Sequence, residues 1–316
     1  MTLIIAKRAL STLVTLLGVT VVIFVILRLL PGNAIQSSMG VNSGLLTHAQ
    51  ILQLDSYYGI GQSALHQYFS WLWATLSGNL GVSLANRVSV ASLISSAFPV
   101  TLELAVMTMI LGLLTGVGFG VAGALKPGRC SDVAGQGLAL IGLGVPSFVI
   151  GTAAVTVMSS GFGYFPSSEN YAGLFSDPWL NLQQIFFPAL VLSIGIGAAV
   201  MRTTRTAVLE VSSQNFMRTA RGKGLRRQAV IWRHLFRNAL VPIVTMSGIQ
   251  LGYLLGGTVI IEKIFVLPGL GRLLVTSING HDYPVVQSIT LLFAACFVIL
   301  NMVTDGINVL IDPRQR

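Results

Sequence analysis

The sequence predicts an all-α, polytopic bundle of transmembrane helices with six spans, and three observations carry that prediction. Of 316 residues, 53% are hydrophobic and only 9% are charged, whereas a water-soluble domain has roughly a quarter of its residues charged. So few charges cannot cover a globule of this size with a hydrated surface. The apolar residues also fall into six long runs, at 9–30, 99–125, 133–159, 185–201, 239–261 and 285–310. Lipid offers no partner for backbone N–H and C=O groups, so a spanning segment is either a helix of about 20 apolar residues or a strand of a closed barrel. Runs this long exclude the barrel. Finally, the 34 glycines suit helices that approach one another closely in lipid.

The first run follows Lys7 and Arg8. It is too long for the apolar stretch of a secretory signal, and it continues into Arg28 and Pro31 with no small-residue cleavage site, so a retained helix is expected. Loops rich in Lys and Arg stay cytoplasmic, and counting them on alternate sides sets the orientation. With the N-terminus inside, fifteen basic residues fall on the inner side: Lys7, Arg8, Lys126, Arg129, nine between 202 and 237, Arg314 and Arg316. Four fall outside or at the outer edge: Arg28, Arg87, Lys263 and Arg272. Both termini are therefore expected in the cytoplasm of a multi-pass protein.

The domain organisation expected is one transmembrane unit over 1–316. It comprises a first span at 9–30, an extracytoplasmic segment at 31–98, and a five-span core at 99–310 containing a cytoplasmic segment at 202–237. The outer segment is poor in charge but holds Tyr57, Tyr58, Tyr68, Phe69, Trp71 and Trp73. That mixture suits a short helix at the membrane interface, whether as aromatic-belt anchors or as a contact surface.

Several function classes are excluded. The net charge of +9 is distributed as membrane topology requires, so it does not mark a nucleic-acid binder. Cys130 and Cys296 lie far apart without CxxC or histidine company and read as packing or incidental residues rather than a disulfide or metal framework. The histidines His48, His66, His234 and His281 fall in loops on opposite sides, and no hydrolytic set of Ser, His and Asp assembles. Around Lys223 the spacing of a phosphate-cradling GxxxxGK[ST] loop is missing. Glu103, Glu262 and Asp305 lie near span ends and are expected to cap helices or make interhelical hydrogen bonds rather than relay protons. No catalytic, cofactor or metal site is expected, and a self-sufficient ion-coupled carrier, which needs mid-span charges and interrupted helices, is disfavoured.

The informative segment is 202–237, RTTRTAVLEVSSQNFMRTARGKGLRRQAVIWRHLFR. Ser212 and Ser213 suit a helix start, Gly222 and Gly224 bracket a break, and a second helical stretch is expected from near Leu225 into the fifth span. This helix, glycine turn, helix arrangement presents Phe216, Met217 and Arg221 on a compact surface for a soluble partner. Attraction of the basic residues to anionic headgroups, about 1 kcal/mol each, is the alternative, but it requires neither the glycine break nor the length.

The run RTARGKGL at 218–225 resembles the cytoplasmic signature loop of binding-protein-dependent ABC importer permeases. In the dipeptide, oligopeptide and nickel branch a common form is similar to RTARAKGL, so Arg218 suits that branch; Ala220 and Gly224 match, and Thr219 is a conservative variant. Asn238 stands where many relatives have proline. Further runs typical of the branch's first, "B"-type subunit follow in order: RLLPGN at 28–33, GNLG at 78–81, FPVTLE at 98–103, GVPS at 144–147, GTVIIE at 257–262, PGLGR at 268–272, DYP at 282–284 and DPR at 312–314.

The resemblance implies the type I permease fold of ABC importers and a bacterial inner-membrane location. It also implies a coupling loop made of Phe216, Met217, Arg218, Thr219, Ala220, Arg221, Gly222, Gly224 and Leu225. The implied partners are a second homologous permease, two cytoplasmic ATPase subunits that bind ATP and Mg, an extracytoplasmic solute-binding protein and membrane lipid. The implied cargo is a peptide, with nickel or a metal chelate as the alternative within the branch.

Overall fold

The computed structural model describes residues 2–29, 62–163, 165–167 and 171–311. Tyr57, Tyr58, His48, the 30–33 end of the first motif and the closing 312–314 motif lie outside them. The described residues form helices α1 (Thr2–Leu29), α2 (Ala64–Leu76), α3 (Val90–Leu125), α4 (Cys130–Gly144), α5 (Ser147–Phe162), α6 (Pro178–Ser213) and α7 (Asn215–Gly222). A helical turn Arg227–Ala229 and a π-helical stretch Val230–Phe236 lead into α8 (Arg237–Ile264), followed by α9 (Leu270–Asn279) and α10 (Tyr283–Ile311).

Among the described residues, four helical stretches are long and apolar enough to cross a bilayer: α3, α6, Val230–Ile264 and α10. The third run, expected as one span, is instead two helices, α4 and α5, bent by 96°. The cause is local. Val145 precedes Pro146, whose ring disfavours the helical conformation for the residue before it, and Val145 is extended at φ −94° and ψ 120°. If the bent pair counts as one span, the total among the described residues is five; α1 runs helically through the first predicted span as far as Leu29. Within 202–237 the expected helix, glycine turn, helix is α7, the turn at Gly224 and the helical stretch from Arg227. α6 continues to Ser213, and the chain is helical again from Arg227, so only the part around α7 and its turn interrupts two long helices.

The described chain forms two compact units, 1–100 with 268–298, and 101–267 with 299–316. In the first, Val90 and Ala97 of α3 cluster with Leu270 of α9 and with Val285 and Ile289 of α10. The aromatic helix α2 starts at Ser63, whose side chain accepts from His66 N–H. It packs on α1: Thr20 Oγ1 and Tyr68 Oη lie 2.8 Å apart, and Tyr68 meets Phe24 edge-on at 5.2 Å between centroids. Leu65, Phe69, Trp73 and Leu76 remain exposed.

Two of the sequence motifs meet in this unit. Asp282, buried at 2% exposure, accepts from the Ser83 hydroxyl and from the Leu84 N–H at 3.1 Å and Ala85 N–H at 3.4 Å. The carboxylate therefore pins the loop that follows the 78–81 glycine motif to the start of α10. Gly78 and Gly81 turn that loop at φ 82° and 83°, conformations that cost a side-chain-bearing residue.

The second unit is built on a seam between α3 and α6. A Cβ added at Gly116 would lie 2.7 Å from Gly197 O, one at Gly120 2.8 Å from Met201 O, and one at Gly197 2.7 Å from Thr115 Oγ1. In lipid such close approach supplies the van der Waals contact that replaces a hydrophobic driving force. Ala105, Met109, Ile196, Val200 and Leu254 continue the seam onto α8. Leu102, Val106, Ile110 and Leu114 of α3 are exposed, as expected of a helix whose outer surface faces an apolar medium.

Candidate functional site

The expected coupling residues lie together at the junction of α6, α7 and the π-helical stretch. Gln214, extended at φ −69° and ψ 151°, ends α6 and begins α7. Ser212 and Ser213, expected to cap a helix start, are instead the last residues of α6, and their hydroxyls donate back to Leu209 O and Glu210 O at 2.8 Å. A helical serine facing a carbonyl one turn earlier has an acceptor nearer than the next helix's amides.

α7 is strongly two-sided. Met217 is fully buried and Ala220 is buried, both in a cluster with Ala124 of α3, Ala207, Val208 and Val211 of α6, Val230 and Leu235 of the π-helical stretch, and Ala239 and Ile243 of α8. Met217 is therefore not part of the presented surface, contrary to expectation. Its neighbours Phe216, Arg218, Thr219 and Arg221 are exposed, as are Gly222, Gly224 and Leu225. At position i relative to Ala220 at i+3, Met217 shares the helix's inner face, while Phe216 lies about 100° around the axis. That 3.6-residue periodicity was the available signal for the inward methionine.

The turn closes with Lys223 N–H donating to Thr219 O and Gly224 N–H to Arg221 O, both at 3.0 Å. Gly224 then reverses the chain at φ 72°. Gly222 completes α7, and no atom lies within 4 Å of a Cβ built at either glycine. Asn238 sits within the helical run and donates its side-chain amide to His234 O at 2.6 Å, so the chain passes from π-helical to α-helical geometry without a break.

Sequence reasoning missed an ion pair beside this junction. Arg205 of α6 grips Asp132 of α4 through both nitrogens, Nε to Oδ1 at 2.7 Å and Nη2 to Oδ2 at 2.9 Å. Asp132 is 1% exposed at its side chain and accepts further from Gly128 N–H at 2.9 Å and Gln136 Nε2 at 3.1 Å. A bidentate, fully partnered pair of this kind resists displacement, and it fastens the turn before α4 to the helix that leads into α7. In sequence the partners lie 73 residues apart, and nothing local pairs them.

The carboxylates near span ends have interhelical partners. Thr101 of α3 donates to Glu262 of α8 at 2.7 Å, joining two further motifs, and Glu262 is fully buried. Glu103 accepts from Tyr171 Oη at 2.9 Å and from Asn181 Nδ2 of α6 at 2.8 Å. Burial, reinforced by the hydrogen bond to Glu103, pushes the Tyr171 phenol well above its usual range, so it stays a neutral donor. Asp305 lies exposed on α10. Among the described residues no three His, Cys, Asp or Glu side chains group as a metal site. The arrangement at the junction is a surface helix packed on long apolar helices.

Comparison with known proteins agrees with this architecture. The chain is 36% identical over 311 residues, 98% of its length and 97% of the relative's, to the glutathione transport system permease protein GsiC of Salmonella choleraesuis (strain SC-B67). It is 35% identical over the same share to the protein of that name from Escherichia coli (strain K12). Its fold is similar to that of an inward-facing MetNI methionine ABC transporter chain, with TM-score 0.56 and 18% identity, covering 70% of this chain and 97% of that one. Residues 115–316 match the family of binding-protein-dependent transport system inner membrane components, and with near-full-length likeness to permeases of the peptide branch this multi-pass, all-α chain belongs to that family, as a channel-forming permease subunit of an ABC importer.

Proposed function

We propose that the chain is a permease of a bacterial peptide importer and that residues 216–225 couple its helices to a cytoplasmic ATPase. The observation that carries the coupling reading is the two-sidedness of α7. Its inner face is held by Met217 and Ala220 in a core shared with α3, α6 and α8, and its outer face offers Phe216, Arg218 and Arg221. An element anchored in this way moves with the helices it is packed on, because packed cores shift between discrete arrangements rather than deforming.

In this reading two ATPase subunits hold ATP and Mg, and their closure draws the coupling elements together. The attached helices then rock the path from inward-open to outward-open, a two-state equilibrium biased by nucleotide. A second homologous permease completes the path, a solute-binding protein delivers cargo from outside, and anionic lipid surrounds the basic inner margin. The chain acts as one permease domain over 1–316 with both termini and 202–237 in the cytoplasm, and it performs no bond chemistry itself. A peptide cargo is preferred to nickel or a metal chelate because its relatives are permeases of glutathione transport systems, and glutathione is a tripeptide.

The test is Phe216→Ala in the reconstituted complex. Aromatic anchors of such contacts are worth about 2 kcal/mol or more, so cargo-stimulated ATP hydrolysis and uptake should fall together by at least about tenfold. Unchanged coupling would move the docking site away from α7.

A further inference from the structure

A second polar feature of α6 is separate from the coupling element. Arg202, Thr206 and Glu210 recur every fourth residue and so share one side of the helix, in a stretch otherwise made largely of small and apolar residues. All three are exposed. This side opens on a cavity of about 440 Å³ whose further walls include Pro242 and Met246 of α8 and Leu143 of α4. Ligand sites of roughly 300–1,000 Å³ combine apolar walls with a few placed polar groups, and this cavity has that makeup. Their neighbour Arg205 is engaged by Asp132, but among the described residues neither Arg202 nor Glu210 forms a salt bridge.

At 1.5 Å per residue, the positive and negative groups are separated by about 12 Å along the helix axis. A peptide of three residues, extended at about 3.3–3.6 Å each, separates its terminal ammonium from its terminal carboxylate by roughly 10 Å, and the long Arg202 side chain adjusts to the difference. Guanidinium matches a carboxylate with two parallel hydrogen bonds, and a carboxylate accepts from an ammonium. We propose that this face of α6 is a transit site for short zwitterionic peptides. Arg202 takes the terminal carboxylate, Glu210 the terminal ammonium, and Thr206 a backbone group between them. The proposal rests on the peptide-import reading and adds to it the length class and the direction in which the peptide lies along α6.

Uptake of trialanine, its C-terminal amide and its N-acetyl form by the complete reconstituted importer tests this, with the same binding protein throughout. Because the binding protein is constant, any change of preference belongs to the permease. Wild type should prefer trialanine over both blocked forms. Arg202→Gln should lower trialanine uptake on the order of tenfold, the scale of one charge-assisted contact, leave the amide nearly unchanged, and so remove only that preference. Glu210→Gln should remove only the preference over the N-acetyl form, and Arg202→Lys should restore part of the carboxylate preference. Loss of complex assembly or of basal ATP hydrolysis in Arg202→Lys and Glu210→Gln alike would make this face a subunit contact and overturn the site. Preference ratios unmoved by either substitution, in a complex that imports trialanine, would overturn the site and leave the cargo reading standing. No import of any peptide by the wild-type complex would overturn the cargo reading itself.

Discussion

Gly224 and Gly222 separate backbone conformation from packing in the coupling turn. Both are exposed and neither has an atom within 4 Å of an added Cβ, but only Gly224 has a left-handed φ, at 72°. Steric crowding therefore contributes nothing at either position, and any difference between them arises from the backbone. A side-chain-bearing residue in this region costs about 1–2 kcal/mol, and a β-branched one lies at the upper end of the roughly 1–3 kcal/mol of local strain. Gly224→Val should thus disfavour the closed turn by about 2 kcal/mol, enough to reduce the correctly set population up to about thirtyfold. Asparagine tolerates this region better, so Gly224→Asn should retain much of the coupling. Gly222→Ala, within α7, should be neutral or slightly favourable to the helix. The assay is cargo-stimulated ATP hydrolysis together with uptake by the reconstituted complex. If Gly222→Ala uncouples as strongly as Gly224→Val, or if valine and asparagine behave alike at 224, the turn's conformation is not what transmits the movement.

The seam between α3 and α6 predicts that Gly116→Val, which drives a methyl-bearing carbon against Gly197 O and Val200, costs about 1–3 kcal/mol or more. Thermal unfolding of the detergent-solubilised protein should shift downwards, whereas Gly118→Ala, with nothing within 4 Å, should not; equal midpoints would refute the seam. Asp282→Asn removes the charge from the acceptor shared by Ser83, Leu84 and Ala85, and charge-assisted bonds are worth about 1.5–3 kcal/mol. Amide exchange at Leu84 and Ala85 should accelerate, and unchanged protection would assign the loop's order to its glycine turns alone. For topology, single cysteines at the exposed Ser77 and Ser213, after replacement of Cys130 and Cys296, should react with an impermeant thiol reagent in intact cells at 77 and not at 213. The reverse pattern would invert the orientation.

Some of this protein was determined by local sequence. The apolar runs required helices because lipid leaves backbone groups no other partner; α10 follows its run closely, whereas α3 begins before its run and α6 extends beyond its run at both ends. The bend between α4 and α5 was also local, since Val145 before Pro146 carries it, but a continuous apolar run concealed it. Gly224 could be assigned its left-handed turn because only glycine adopts that conformation without cost.

What tertiary structure decided was partnership. Nothing in the 282–284 motif indicates that its carboxylate holds the loop at Ser83, Leu84 and Ala85, and the same holds for Thr101 with Glu262 and for Asp132 with Arg205. Hydrophobic periodicity can place Met217 on the opposite side of α7 from the exposed residues, but its complete burial depends on α3, α6 and α8 meeting beneath it. The stretch after Met201 falls outside the fourth apolar run because of its charges. It is helical because α6 continues through them, with Arg205 satisfied by Asp132 and with Ala207, Val208 and Val211 buried on the opposite side. Charge and hydropathy are properties of single residues and of their near neighbours in the chain, and they set which segments enter the membrane. Which polar atoms end within hydrogen-bonding distance depends on how separate helices pack, and that is fixed only when the whole chain folds.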